Sequence, residues 1–123
     1  MDNPKRILII EDDLIYQETL SRYLEGVAEC VFANTLEEAK QLLNAEDTPD
    51  HALVDYRLPD GLGSELVPIL KEKVIPSTLM SFLSPQALQS QANPDDFCNI
   101  VSKEGINKNS LMDILGLTPW IGN

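Results

Sequence analysis

Four short segments of this 123-residue chain carry side chains that can do chemistry together. Glu11-Asp12-Asp13 follows the apolar run Ile7-Leu8-Ile9-Ile10, and Asp55 follows Ala52-Leu53-Val54. Ser81 follows Leu79-Met80, and Ser102-Lys103 follows Val101. Brought to one place, they make three or more carboxylates, a hydroxyl and an ammonium. Two carboxylates about 4 Å apart repel by roughly 4 kcal/mol at an effective dielectric of 20, so a third requires a cation. A hard ion with oxygen ligands, magnesium or manganese, suits that set and keeps waters that a phosphate oxygen can replace. Lys103 adds a fixed positive charge for the same oxygens, and the Ser81 hydroxyl adds a hydrogen bond. An aspartate beside such a cation is ionised and nucleophilic.

These segments need a scaffold that aligns them. Short apolar runs predict strands over Lys5–Ile10, Val27–Ala33, His51–Asp55, Thr78–Phe82 and Phe97–Ser102. Between them, helices are predicted over Leu14–Glu25, Leu36–Leu43, Ser64–Lys73 and Pro85–Gln91. A last helix opens at Asn109 or Ser110 and stops by Gly116. Leu14, Ile15, Leu20, Tyr23 and Leu24 recur at helical spacing. Asp13 is placed to cap that helix, and Gly26 to close it. Thr35 with Glu38 reads as a capping box. Five strands alternating with five helices give an α/β fold, a parallel sheet with helices on both faces. Ligands bind such sheets at the carboxyl ends of the strands, where all four segments stand.

Composition narrows the function classes. Nine Lys+Arg against twenty Asp+Glu give a net charge of −11, which repels phosphate backbones and argues against nucleic-acid binding by this chain alone. A 43% apolar and 24% charged chain is an ordinary folded protein, not a disordered, collagenous or coiled-coil one. Its longest obvious apolar run, Ile7–Ile10, is far short of the roughly twenty residues a membrane span needs. The length predicts one domain over 1–123, with a core at about 4–116 and a short tail over 117–123. No signal-peptide pattern follows Met1, and Cys30 and Cys98 make no disulfide framework. The expectation is a cytoplasmic protein whose two thiols are small buried hydrophobes. His51, the sole histidine, reads as a loop residue without partners. Trp120, in the tail, either packs on the body or marks a partner surface.

Over about residues 4 to 116 the chain resembles a response-regulator receiver domain. The matching motifs are Ile7-Leu8-Ile9-Ile10-Glu11-Asp12-Asp13, Leu53-Val54-Asp55-Tyr56-Arg57-Leu58-Pro59-Asp60-Gly61, Leu79-Met80-Ser81 and Val101-Ser102-Lys103, in that order. The resemblance implies a flavodoxin-like receiver fold with sheet order 2-1-3-4-5. It makes Asp55 the phosphoacceptor and Glu11 and Asp12 the acidic pair, with Asp12 the more direct magnesium ligand. The backbone carbonyl of Arg57 becomes a further ligand, Ser81 the hydroxyl that follows the phosphoryl group, and Lys103 the family's lysine. Ser77, Thr78 and Ser84 are rivals to Ser81. The implied partner is a histidine kinase or histidine phosphotransfer domain, meeting the active-site edge and the first helix near Leu14 and Ile15. A homodimer is a further association the resemblance admits, and the downstream protein target stays open. The output is changed partner binding, with self-catalysed phosphotransfer and dephosphorylation and no enzymatic turnover of a substrate.

The chain departs from the family pattern at four places. Phe82 stands where a small residue usually follows the strand-four hydroxyl. Glu104 replaces the usual proline after the lysine, and Ile100 replaces the switch aromatic. The stretch from Asp55 to Ser81 is a few residues shorter. A ring at Phe82 predicts slow entry of donors and slow hydrolysis, and Ile100 predicts an atypical switch. Two alternatives stand beside this reading. One is a pseudo-receiver that binds partners without phosphorylation, favoured by Phe82 and Ile100. The other is a magnesium-dependent aspartyl-phosphate phosphatase, which usually shows Asp-x-Asp after its first strand, a spacing Glu11-Asp12-Asp13 lacks.

Overall fold

The apolar runs become strands buried on both faces, as a covered parallel sheet requires. A computed structural model describes residues 4–45, 48–89 and 91–117. Five strands form the sheet: β1 (Lys5–Ile10), β2 (Ala28–Ala33), β3 (His51–Asp55), β4 (Ser77–Ser81) and β5 (Asn99–Ser102). Their order is β2-β1-β3-β4-β5, every pairing parallel. The five helices are α1 (Leu14–Leu24), α2 (Leu36–Leu43), α3 (Val67–Glu72), α4 (Pro85–Gln89) and α5 (Lys108–Leu115).

Alternation along the strands divides the core. Ile7, Ile9, Leu53 and Met80 pack with Leu20 and Leu24 of α1 and Leu111 and Leu115 of α5. Leu8, Ile10, Ala52, Val54 and Leu79 pack with Leu36, Ala39 and Leu43 of α2, Leu70 of α3 and Leu88 of α4. The sheet is therefore clamped between two helical layers and held rigid, which fixes its carboxyl edge.

The helix ends follow local chemistry. Asp13 accepts from the N–H groups of Ile15 and Tyr16 and caps α1. Thr35 accepts from Glu38 N–H, the threonine half of the expected box. The last helix begins earlier than the sequence predicts. Asn107 and Ser110 satisfy each other's backbone N–H groups, both at 2.9 Å, so Asn107 is the cap.

Three further expectations are corrected. Around the expected Leu58–Gly63 loop, Arg57–Leu58 pairs antiparallel with Gly61–Leu62, and a 3-10 turn over Gly63–Leu66 leads into α3. Phe97 lies outside β5: it is buried and closes the turn Pro94–Asp96, so the strand starts at Asn99. Cys98 is exposed and Cys30 half-buried, so only Cys30 approaches the buried thiol expected of both. Trp120 and the tail over 118–123 lie outside the described residues.

Candidate functional site

Parallel register sets the site. Ile10 pairs with Val54, Asp55 with Met80, and Ser81 with Ser102. Glu11, Asp55, Ser81 and Lys103 therefore emerge side by side at the carboxyl edge, as the sequence predicts. All four are buried, Glu11 completely. Asp12 is exposed at the rim. Carboxylate oxygens of Glu11, Asp12 and Asp55 lie within 4.8 Å of one another.

Backbone contacts hold each carboxylate in place. Glu11 donates its N–H to Ala33 O at 2.9 Å and accepts from Asp13 N–H at 3.1 Å. The Gln17 amide donates to the Glu11 carbonyl and to Asn34 Oδ1, bridging α1 to the end of β2. Behind Asp55, Gly63 donates its N–H to Tyr56 O at 2.8 Å. A Cβ at Gly63 would strike the Asp55 carbonyl oxygen and stand 2.6 Å from Val54 Cγ1. Only glycine permits that approach. Asp60 pins the same loop to α2, accepting from Leu36 and Glu37 N–H at 2.8 and 3.1 Å. Those two bonds hold the Asp60 carboxyl below its ordinary range.

Lys103 is the counter-ion. Its ammonium pairs with Glu11 Oε1 and lies 3.2 Å from Asp55 Oδ1. One ammonium between two buried carboxylates leaves net negative charge. Burial first, then the charge of Glu11, push the Asp55 carboxyl up to about 7, and Lys103 only partly offsets them. This excess charge is what a divalent cation would balance. The donor set is all oxygen, with one exposed member, and so fits magnesium or manganese.

An open cleft of about 340 Å³ leads to the cluster, lined by Asp55, Arg57, Ser81, Phe82, Leu83 and Lys103. The Ser81 hydroxyl accepts from Leu83 N–H at 3.0 Å and stands in this cleft. Its rivals are engaged elsewhere. Ser77 begins β4, Thr78 bonds His51, and Ser84 accepts from Ala87 N–H in α4. Phe82 is a wall of the cleft, 62% exposed, its ring edge-on to Tyr16 at 6.3 Å. Ile100 is half-buried on the α2–α4 layer. Arg57 lines the cleft and is exposed.

Sequence reasoning missed Tyr16, Gln17, Gly63 and the role of Asp60. Of these, Asp60 and Gly63 carried a signal, an acid and a glycine inside the loop that follows the acceptor strand. His51 is also corrected. It is buried in β3 and hydrogen-bonded to Thr78 Oγ1 at 2.8 Å.

The same fold recurs in solved proteins. A response regulator receiver domain protein (CheY-like) from Methanospirillum hungatei superposes with a TM-score of 0.79 over 93% of this chain and 92% of that one, at 24% identity. This is a response-regulator receiver fold. The receiver domain of a sensor histidine kinase from Pseudomonas aeruginosa, with a magnesium ion coordinated in its active site cleft, gives a TM-score of 0.78 at 18% identity, covering 92% of this chain and 95% of that one. In sequence, the transcriptional regulatory protein DcuR of Escherichia coli is 38% identical over 68 residues. That match takes in 52% of this chain and only 28% of DcuR, so this receiver fold spans well under two thirds of that curated relative. No protein-family model matches the chain. Among the described residues of this receiver fold, no helix is long and apolar enough to cross a membrane.

Proposed function

We propose that this chain is a phosphoacceptor domain of a two-component or phosphorelay system, with Asp55 as the acceptor. The observation that carries the reading is the buried trio Glu11, Asp55 and Lys103 at the end of a receiver sheet, beside an open cleft. Asp55 attacks the phosphorus of a phosphohistidine. The N–P bond breaks, an O–P bond to the Asp55 carboxylate forms, and the imidazole leaves with a proton from solvent. Glu11, Asp12, Asp55 and the Arg57 carbonyl would hold magnesium or manganese, which supplies positive charge for the carboxylates and the phosphoryl oxygens. Lys103 carries a fixed charge to the same oxygens, and Ser81 Oγ meets them from β4.

The donor is a histidine kinase or histidine phosphotransfer domain. Leu14 and Ile15, 69% and 77% exposed at the start of α1, offer the apolar rim on which it would seat beside the cleft. The product is a new binding surface for a downstream protein, so the domain signals and turns over no substrate. Phe82 narrows the cleft mouth and slows both the donor and the attacking water. Ile100, with no polar tip, leaves the strand-five side of the switch unreported.

A second reading, a partner-binding module independent of phosphorylation, is favoured by Phe82 on the cleft wall. Titration with beryllofluoride in magnesium separates the two. Saturable binding that Asp55→Asn and Asp12→Ala each weaken supports the acceptor reading. No binding by the parent chain favours the module.

A further inference from the structure

The Lys103 ammonium has more around it than its two carboxylates. It lies 4.8 Å from the centroid of the Tyr16 ring and 5.2 Å from that of Phe82. The two rings stand at 62° to each other. Tyr16 also donates its phenol O–H to the main-chain carbonyl of Lys103 at 3.2 Å. One residue of α1 thus holds the lysine twice, by its backbone and by its charge. A buried lysine needs such restraint, because four rotatable bonds otherwise let the ammonium leave a site short of water. Aromatic faces attract an ammonium without neutralising it, so the charge remains free to meet another anion.

We propose that Tyr16 is a positioning residue for Lys103. Its hydroxyl fixes the turn that follows β5, and its ring face aims the ammonium at the Asp55 and Glu11 oxygens. The inference deepens the phosphoacceptor reading and rests on it for its rate measurement only.

The test has two arms on the full chain. In the first, the side-chain ε-methylene signals of lysine are recorded by NMR, and Lys103 is assigned by its loss in Lys103→Arg. Ring currents should place the Lys103 signal upfield of exposed lysines. Tyr16→Phe should keep it there and Tyr16→Leu should move it downfield. In the second arm, phosphorylation by acetyl phosphate with magnesium is timed by intact mass. Tyr16→Phe should slow it about threefold to tenfold, the worth of one hydrogen bond, while lowering the melting temperature by only a few degrees. Combined with Lys103→Ala, the same substitution should change nothing further. An equal slowing in both backgrounds, no slowing in the parent background, or a Lys103 signal that Tyr16→Leu does not move overturns the proposal. If the parent chain takes up no phosphoryl group, the acceptor reading fails instead, and the lysine signal alone decides on Tyr16.

Discussion

The two ends of β3 bury titratable side chains in opposite ways. At its start, His51 and Thr78 form one hydrogen bond between neighbouring strands. Burial first, then Lys5, push the imidazole down to about 4, so it is neutral at physiological pH. At its end, Asp55 shares one ammonium with Glu11 and has its carboxyl pushed up to about 7. Both ends are buried. The first is satisfied by a single neutral partner and needs nothing more. The second is short of positive charge, and that shortage is stored at the edge where the cleft opens. Burial alone does not mark a functional group; burial with an unbalanced charge does.

Lys103 is where that contrast breaks most severely. Lys103→Met leaves two carboxylates buried without a counter-ion and should cost about 3 to 5 kcal/mol in urea unfolding without metal. Magnesium should restore part of the loss. A cost under about 1 kcal/mol would mean that the carboxylates escape to water and that the cluster is not rigid.

Asp55→Asn should act in the opposite direction. Its folded-state value is raised, so the native state binds more protons between about pH 4 and 7, and the parent loses stability as pH rises through that window. The variant lacks this loss and should be more stable than the parent by about 3 kcal/mol at pH 8 without metal.

His51→Gln sharpens the comparison from the other end. The folded-state value of His51 is lowered, so the unfolded state binds more protons between about pH 4 and 6.5. Its contribution is full above 6.5 and is lost as pH falls toward 4, an effect of about 2 to 3 kcal/mol. The two slopes oppose each other in the parent. Urea midpoints taken across this range should vary less with pH in the parent than in either variant. Phe82→Ala should have the smallest effect on stability, within about 0.5 kcal/mol, yet should speed both phosphorylation and dephosphorylation. Unchanged rates would remove Phe82 from the path to Asp55.

Much of this was legible in the residues. Ile7–Ile10 and Ala52–Val54 are continuous apolar runs followed at once by acids, so strand, strand end and chemistry coincide. Asp13 and Thr35 read correctly as caps because capping is local. What failed depended on distant partners. His51 is polar at the start of a strand, and Thr78, 27 residues on, satisfies it there. Phe97 looks like a strand residue until the turn over Pro94–Asp96 is seen to end on it. The pairing of Arg57–Leu58 with Gly61–Leu62 is too short to leave a period. Tyr16 reaches Lys103 across 87 residues, a contact that no spacing along α1 encodes.

The uncompensated charge at the end of β3 is what suits Asp55 to accept a phosphoryl group. Intact-mass measurement after incubation with acetyl phosphate and magnesium tests it most directly. The parent chain should gain one phosphoryl group and Asp55→Asn none. Equal phosphorylation of the two, or none on the parent, would contradict it.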